Sequence, residues 1–324
     1  MLENIKIPKI SQTHLHGIKN LSIEDINNIL ELSKIFKEHN KEKDKKIPIL
    51  KGRTIINLFF EPSTRTLISF EIAAKRLGAD VINMNIEGSS LRKGESLFDT
   101  AQTLGAMNPD LVIIRHGEND ASKEIAKILE CPVINAGEGV NEHPTQALLD
   151  AYTIINHNRK LNDITVSICG DLEHSRVARS NYYLLNKMKS KVRFVFPDYF
   201  KPKDLDKYDV ETFTNLEDGI KDADIVMMLR IQNERIKDLN LPSADDYFRS
   251  FGLTYEKLKL AKPEVLVLHP GPINRGVEIE NELADDVNKS VITEQVENGV
   301  AVRMACLSIP VSYTHLTLPT IAGV

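Results

Sequence analysis

The feature that most constrains this fold is a repeated alternation of short apolar runs with segments of helical periodicity. The apolar run at residues 54–60 predicts a buried strand, and apolar residues at helical spacing over 67–77 predict the helix that follows. The alternation continues with strands predicted at 80–85, 111–114 and 133–135 and helices at 96–107 and 123–129. Strands that alternate with helices indicate a parallel sheet covered on both faces, which places the chain in the α/β class.

The same alternation restarts in the second half of the chain. A helix predicted at 144–156 leads into strands at 165–170, 192–196, 225–228 and 265–268, with a further helix at 176–188. A chain of 324 residues exceeds one typical domain. We therefore predict two doubly wound parallel-sheet domains, 1–143 and 144–294, with the active site in the cleft between them, because such sheets bind ligands beyond the carboxyl ends of their strands.

The C-terminal part departs from this pattern. Residues 295–307 predict a last helix that returns to the first domain, whereas 308–324 contain Pro310, Pro319 and many β-branched residues. These residue types predict that the tail does not extend the helix. We interpret 308–324 as a cloning or sequence-assembly remnant and leave it out of the fold prediction.

Composition and charge exclude several classes of protein. The net charge of −5 argues against general nucleic-acid binding, so any basic site must be local. No run approaches the roughly 18 apolar residues of a membrane span, and the N-terminus lacks the apolar core of a signal peptide. Three scattered cysteines, Cys131, Cys169 and Cys306, suit buried thiols in a reducing cytoplasm better than a disulfide framework or a metal site.

An anion site is predicted where the first strand ends. Ser63-Thr64-Arg65-Thr66 brings two kinds of donor, hydroxyl and guanidinium, to the start of the following helix, where backbone N–H groups and the helix dipole also attract an anion. Ser63 or Thr64 as a simple helix cap is compatible with this site. Arg65 as a surface ion-pair residue is the alternative, but a cation in the first helical turn is electrostatically unfavourable unless an anion binds there.

Polar groups also follow the other predicted strands, at the edge where a doubly wound fold binds its ligands. In chain order they are Ser89 and Lys93, Arg115-His116, Asn141 to Gln146, Asp171 to Arg176, Arg230-Ile231-Gln232 and His269-Pro270-Gly271-Pro272. Taken alone, Lys93 has the surroundings of a solvated loop lysine, and Asp171 has those of a turn residue after Gly170. The position of His143 at a helix start, directly before Pro144, favours a functional role for it. His116 and His174 lack such surroundings and are assigned structural roles.

Several enzyme classes are disfavoured by missing motifs. The sequence contains no G-x-x-x-x-G-K-[ST] loop, and Cys169 to His174 carries one glycine where a dinucleotide fingerprint needs three. No H-E-x-x-H motif or His/Cys cluster indicates a metal. We therefore predict neither a metal nor an organic cofactor.

The motifs at the strand ends resemble those of the carbamoyltransferases. Ser63-Thr64-Arg65-Thr66, Lys93-Gly94-Glu95, His143-Pro144-Thr145-Gln146, Gly170-Asp171-Leu172, Arg230-Ile231-Gln232 and His269-Pro270-Gly271-Pro272 occur in the family's order and at suitable spacing. The resemblance covers roughly residues 10–307. The first and third motifs mark the whole family, and the later ones resemble the aspartate carbamoyltransferase catalytic chains.

The ornithine branch of the family is the nearer alternative. Its members typically carry a His-Cys-Leu-Pro segment and a Ser-Met-Gly loop, whereas this chain has His269-Pro270-Gly271-Pro272 and no Ser-Met-Gly. The aspartate β-carboxylate needs cations, and Lys93, Arg176 and Arg230 would repel the δ-ammonium of ornithine. A non-catalytic anion-binding subunit of the same fold is the alternative from another class.

The resemblance implies a role for each motif residue. It places the phosphate of carbamoyl phosphate on Ser63, Thr64, Arg65, Thr66 and Arg115, and its carbonyl oxygen on Thr66, Arg115 and His143. Ser89 is implied as a further residue of the carbamoyl-phosphate site. It places the carbamoyl NH₂ on Gln146 and the carbonyls of Gly271 and Pro272, and L-aspartate on Lys93, Arg176, Arg230 and Gln232. The residues implied in catalysis are Arg65, Thr66, Lys93, Arg115 and His143.

The resemblance also implies the product and the assembly. The products would be N-carbamoyl-L-aspartate and phosphate, in an early step of pyrimidine biosynthesis in the cytoplasm. The working unit would be a homotrimer in which Ser89 and Lys93 reach into a neighbouring subunit's site. A separate regulatory chain is compatible with the resemblance, and no nucleic acid or membrane is expected as a partner.

Overall fold

A computed structural model describes residues 5–85, 94–232 and 241–314 of the chain. It divides into two compact units, residues 1–148 with 298–324 and residues 149–297. The divisions fall inside helices and lie a few residues later than the predicted domain limits at 143/144 and 294/295. Ser89 and Lys93 lie outside the described residues, so their predicted roles stay predictions.

The first unit contains a parallel sheet with helices between its strands. In chain order its elements are α1 Ile23–His39, β1 Thr54–Phe59, α2 Thr64–Arg76, β2 Asp80–Asn85, α3 Leu97–Ala106, β3 Leu111–His116, α4 Ala121–Ala126, β4 Val133–Glu138 and the start of α5 Pro144–Asn156, which continues into the second unit. Within its described residues the strand order is β2-β1-β3-β4, and every pairing between these strands is parallel. Strands β1, β3 and β4 are largely buried on both faces, as their continuous apolar runs predicted, whereas the edge strand β2 exposes Asp80, Ile82 and Asn83.

A segment near the N-terminus covers the β4 edge of this sheet. The Leu15 backbone N–H donates to Val133 O at 2.9 Å, and Asn135 N–H donates to Leu15 O at 2.9 Å. The next turn is fixed by Glu142, whose Oε2 accepts from Ile18 N–H at 2.6 Å. A Cβ at Gly17 would lie 2.2 Å from Glu142 Oε1, so a larger residue would displace the carboxylate that holds this turn. This segment therefore protects an exposed strand edge and holds the residue that precedes His143.

Two histidines of this segment make the first unit sensitive to acid. Burial lowers the pKa of His14, and burial together with the nearby His14 and Lys123 lowers the pKa of His16 to about 4. His14 Nδ1 accepts a hydrogen bond from Val133 N–H at 3.1 Å, so a proton on that nitrogen would oppose the donor. Because the unfolded chain takes up these protons near pH 6.5 and the folded chain does not, the free energy of unfolding falls as the pH drops from about 6.5 towards 4.

We expect His16→Gln to reduce this loss of stability. After discounting for partial exposure, the histidine contributes about 1 kcal/mol to the pH dependence, or roughly 2–4 °C in Tm. Thermal unfolding at about pH 7.5 and about pH 5 measures the difference. Ser122→Ala is the control, because it removes the 3.0 Å contact of Ser122 Oγ with His16 Nδ1 and keeps the titrating ring. An equal Tm loss in wild type and His16→Gln would contradict the assignment.

The second unit contains another parallel sheet. Its further elements are β5 Thr165–Cys169, α6 Arg176–Lys187, β6 Lys191–Val195, β7 Glu211–Phe213, α7 Leu216–Ile220, β8 Ile225–Met228, α8 Ala244–Phe251, α9 Tyr255–Leu258, β9 Leu266–Leu268 and α10 Asn281–Asp285. The strand order in the described part of the unit is β7-β6-β5-β8-β9, again with parallel pairings. The edge strand β7 was not predicted, because its three residues lie in a polar interval and are largely exposed.

Both sheets are doubly wound, which confirms the predicted fold class. In each, the strand order reverses beside the first strand in the chain: between β1 and β3 in the first unit and between β5 and β8 in the second. At such a reversal the connections leave on opposite faces of the sheet and open a crevice at the carboxyl ends of the strands. The loops after β1, β3, β5 and β8 are therefore where ligands are expected.

The C-terminal helix corrects one prediction. Helix α11 runs from Ile292 to Thr314 with Pro310 inside it, so the prediction that residues after 307 do not extend the helix is wrong. Ile309 and Val311 are buried, and Ser312 Oγ donates to Ser308 O at 2.7 Å. Burial of this face outweighs the poor helix propensity of the β-branched residues. Residues 315–324 lie outside the described part of the chain.

The later part of α11 belongs to the first unit. Arg303 Nη1 donates to Ser69 Oγ on α2 at 2.9 Å, and its guanidinium carbon lies 5.1 Å from the centre of the Phe70 ring. These contacts hold the middle of α2, the helix that begins at the predicted phosphate loop. Among the described residues, no helix has the length and apolar character needed to cross a membrane.

Candidate active site

The predicted phosphate loop forms the start of α2, directly after β1. Ser63 occupies the N-cap position, but its side chain makes no capping hydrogen bond and instead donates from Oγ to Thr66 Oγ1 at 2.9 Å. Thr66 is buried, whereas Thr64 and Arg65 are exposed. The cap position thus leaves the first-turn N–H groups of the helix to an external acceptor, and two hydroxyls lie beside them.

Arg115 lies next to this loop at the end of β3. It pairs in register with Phe59 of β1, and Phe60 N–H donates to Arg115 O at 2.8 Å. Its Nε is 3.7 Å from Glu61 Oε2, and Nη1 donates to Ala136 O at 3.1 Å. The guanidinium is mostly buried, which strengthens its interactions with charge. Arg115 therefore lies between the loop after β1 and strand β4.

His143 and Gln146 lie at the start of α5, which follows β4. Both are buried, and Pro144 is the first residue of the helix, where its missing N–H costs nothing. Gln146 N–H donates to His143 O at 3.0 Å. Ahead of the helix, Glu138 N–H donates to Glu142 O at 3.2 Å, which turns the chain back towards the end of β4. The predicted first-unit residues thus follow strands β1, β3 and β4 at the carboxyl edge of their sheet.

In the second unit, the loop after β5 carries Asp171 and Arg176. Gly170 has φ +120°, and a Cβ there would lie 3.3 Å from Leu229 O, so a larger residue would strain this approach of the β5 and β8 ends. Asp171 is fully buried, and its Oδ1 accepts from His174 N–H at 3.1 Å and contacts His174 Nδ1 at 2.8 Å. Arg176 is buried in the first turn of α6, whose N-cap Ser175 accepts from Ala178 N–H.

The predicted aspartate-binding residues Arg230 and Gln232 follow β8. Two buried carboxylates hold the backbone here: Glu278 Oε1 accepts from Ile231 N–H at 3.0 Å, and Asp171 Oδ2 accepts from Gln232 N–H at 3.2 Å. The loop after β5 is thereby tied to the loop after β8, at the point where the strand order reverses. Asp171 is therefore not only a turn residue, because its carboxylate also links the loop after β5 to the loop after β8.

The His269-Pro270-Gly271-Pro272 segment follows β9 and is held by a buried polar network. His269 N–H donates to Gln295 Oε1 at 3.0 Å, and Gln295 Nε2 donates to Asp150 Oδ1 at 2.7 Å. Asn181 Nδ2 donates to the other oxygen of Asp150 at 2.8 Å. Gly271 N–H donates to His269 Nδ1 at 2.8 Å, and the Gly271–Pro272 peptide bond is cis. Side chains of three helices thus hold the start of this segment at His269.

The predicted residues that the structure describes lie in two groups, one at the carboxyl edge of each sheet, whereas Ser89 and Lys93 are outside the described residues. Sequence reasoning missed the buried supports Asp150, Glu278 and Gln295 and the partly exposed Asn274, because a single acidic or amide residue does not reveal its distant partners. A charged residue inside the apolar helical run 147–152 was the available signal for Asp150. In the described part of the chain, no cluster of His, Cys, Asp and Glu could hold a metal ion.

Comparison with known families assigns both halves of the chain. Residues 13–156 match the sequence model of the aspartate/ornithine carbamoyltransferase carbamoyl-P binding domain, and residues 162–309 match that of the Asp/Orn binding domain. The aspartate carbamoyltransferase catalytic subunit of Pelagibacter ubique is 56% identical over 304 residues, covering 94% of this chain and 97% of that protein. That of Rhodospirillum centenum is 55% identical over 296 residues, covering 91% and 93%.

Solved structures share the fold at lower identity. Aspartate transcarbamoylase from Trypanosoma cruzi, in complex with carbamoyl phosphate and aspartate, superposes with a TM-score of 0.81 at 28% identity, covering 93% of this chain and 97% of that one. Ornithine carbamoyltransferase from Pyrococcus furiosus gives 0.82 at 28%, covering 91% and 96%. With both sheets, both sequence models and relatives above half identity in agreement, this chain belongs to the aspartate/ornithine carbamoyltransferase family.

Proposed function

We propose that this protein transfers the carbamoyl group of carbamoyl phosphate to the α-amine of L-aspartate. The observation that carries the proposal is the placement of cations and hydrogen-bond donors at the strand-order reversal of each sheet. The relatives that share more than half of their residues with this chain are named aspartate carbamoyltransferase catalytic subunits, which supports the choice of aspartate. The fold does not discriminate between the substrates, because the aspartate and ornithine enzymes superpose on it equally well.

The first unit is proposed to bind carbamoyl phosphate. The phosphate lies on Ser63, Thr64, Arg65 and Thr66 at the start of α2, where hydroxyls, N–H groups and the helix dipole favour an anion. Arg115 adds a guanidinium fork suited to phosphate oxygens. Thr66, Arg115 and His143 donate to the carbonyl oxygen, and Gln146 accepts from the carbamoyl NH₂.

The second unit is proposed to bind L-aspartate and the carbamoyl NH₂. Arg176 and Arg230 pair with the two carboxylates, with Gln232 in support, and Lys93 adds a further cation. The carbonyls of Gly271 and Pro272 accept from the carbamoyl NH₂. The buried network behind His269 supports this role, because it fixes the segment that carries both carbonyls.

These groups account for the reaction through proximity and charge stabilisation. The neutral α-amine attacks the carbonyl carbon, and a C–N bond forms while the carbonyl oxygen becomes an oxyanion. Donors from Thr66, Arg115 and His143 stabilise that oxyanion, as in other acyl transfers. The C–O bond to phosphate then breaks, the amine proton passes to the leaving phosphate, and N-carbamoyl-L-aspartate and phosphate are released.

We further propose a homotrimer that shares its sites, in which Ser89 and Lys93 serve a neighbouring subunit. The proposed trimer rests on the motif resemblance alone. The same resemblance is compatible with a separate regulatory chain that binds to the trimer. A cytoplasmic location is supported by the three cysteines, which are free and buried. Burial raises the pKa of Cys131 to about 11 and that of Cys306 to about 12, so both stay protonated and unreactive at neutral pH.

Phosphate release with different amines tests the proposed substrate. We expect turnover with carbamoyl phosphate and L-aspartate. For L-ornithine we expect a kcat/KM lower by about 10⁴-fold or more, because Arg176 and Arg230 repel its ammonium group and are left without the carboxylate that would pair with them. D-aspartate is the matched control, since it carries the same charges with the α-amine misplaced. Turnover with ornithine alone would favour the other branch of the family. Tight phosphate binding without turnover would favour a non-catalytic subunit.

A further inference from the structure

The segment that carries Arg230 is positioned by side chains. We call residues 229–232 the Arg230 loop and residues 269–274 the Gly271 loop. They leave the neighbouring strands β8 and β9, which pair through Met227 and Leu268. In the proposed function the first loop binds aspartate and the second binds the carbamoyl NH₂. Their relative position therefore sets the alignment of the attacking amine with the carbonyl carbon.

One buried carboxylate contacts both loops. Glu278 is fully buried, and its Oε1 accepts from Ile231 N–H at 3.0 Å and from Asn274 Nδ2 at 2.6 Å. Its Oε2 accepts from Asn274 N–H at 2.8 Å and lies 3.7 Å from His269 Nε2. The carboxylate thus accepts three hydrogen bonds. Oε1 accepts one from the Arg230 loop and one from the Gly271 loop, and Oε2 accepts one from the Gly271 loop.

The Glu278 backbone is itself held in place from another direction. Leu253 N–H donates to Glu278 O at 2.9 Å, and Glu280 N–H donates to Leu253 O at 2.9 Å. Ile279, between them, is fully buried. The carboxylate therefore projects from a fixed point in the unit.

The charge of a carboxylate and its two acceptor oxygens explain why position 278 is a glutamate. Burying a carboxylate is costly, and three N–H donors offset that cost. A glutamine has nearly the same shape but only one acceptor oxygen, so its NH₂ would face either Ile231 N–H or Asn274 N–H. An apolar residue would leave all three donors without this acceptor.

We propose that Glu278 is a positioning residue that fixes the Arg230 loop relative to the Gly271 loop, and so aligns aspartate with the carbamoyl group. The inference rests on the proposed function. Its distinguishing consequence is a much larger effect on aspartate than on carbamoyl phosphate, since the groups proposed to bind phosphate lie in the other unit and only the carbamoyl NH₂ is proposed to contact the Gly271 loop.

The test is steady-state kinetics of Glu278→Gln at saturating carbamoyl phosphate. We expect the KM for aspartate to rise about tenfold or more and kcat to fall less, because losing an acceptor for either loop loosens the Arg230 loop relative to the Gly271 loop. The Kd for carbamoyl phosphate, measured by calorimetry, should change by no more than about twofold. Glu280→Gln is the matched control: it removes the same charge two residues away, where Oε2 accepts from Tyr255 N–H at 2.9 Å.

The outcomes separate this inference from the proposed function. A wild type that does not carbamoylate aspartate would overturn both. An active wild type with the aspartate KM of Glu278→Gln unchanged, and only kcat or Tm lowered, would overturn the positioning role alone. If Glu278→Gln does not fold, Asn274→Ala takes its place, because it removes the 2.6 Å donor to Oε1 from a partly exposed side chain. A smaller rise in the aspartate KM is then expected, and no rise overturns the inference.

Discussion

Replacing Arg65 by alanine is expected to lower kcat/KM by at least about 10³-fold and to leave the fold intact. The side chain is exposed at the start of α2, where the helix dipole and two hydroxyls already favour an anion. Without the guanidinium, charge that develops on the leaving phosphate is stabilised less. Phosphate-release kinetics and thermal unfolding measure the two effects.

The control for this variant is Lys75→Ala at the opposite end of the same helix. Lys75 pairs with Glu71 at 2.6 Å and is well exposed, so its loss removes one positive charge far from the loop. We expect activity close to that of wild type, because such a surface pair contributes little. Equal activity in Arg65→Ala and Lys75→Ala would refute the role proposed for Arg65.

Replacing Arg230 by alanine is expected to raise the KM for aspartate by about 10²-fold or more. The residue follows β8 at the strand-order reversal, and the next two amides are held by Glu278 and Asp171. A partly buried guanidinium held in this way can bind a carboxylate through two parallel hydrogen bonds. Initial rates across aspartate concentrations, at saturating carbamoyl phosphate, measure the change.

Two further variants sharpen this prediction. Arg230→Lys keeps the charge but loses the planar fork, so its KM should lie between those of wild type and alanine. Arg249→Ala removes an exposed arginine from the last turn of α8 and should change the KM for aspartate little. An Arg230→Ala enzyme with unaltered aspartate KM would show that other cations carry the carboxylates.

The sequence was sufficient to predict the class of fold, and it placed the candidate site residues directly after the predicted strands. Strand residues such as Ile55, Val166 and Val226 lie in apolar runs that are buried on both faces, and that pattern is specific to covered parallel sheets. Polar residues that directly follow such runs must lie at one edge of the sheet. Local pattern failed in α11, where burial of Ile309 and Val311 extends a helix that their propensity and Pro310 disfavour.

The sequence by itself determined that two parallel sheets form and which residues end their strands, because both follow from the local order of apolar and polar side chains. Only the tertiary structure decided which strands are neighbours, and hence that the loops after β1 and β3, and after β5 and β8, flank a reversal. It also decided the partners of Glu278, which contacts amides 47 and 4 residues away in the chain. Contacts of this kind depend on how distant segments pack, and no local pattern encodes them.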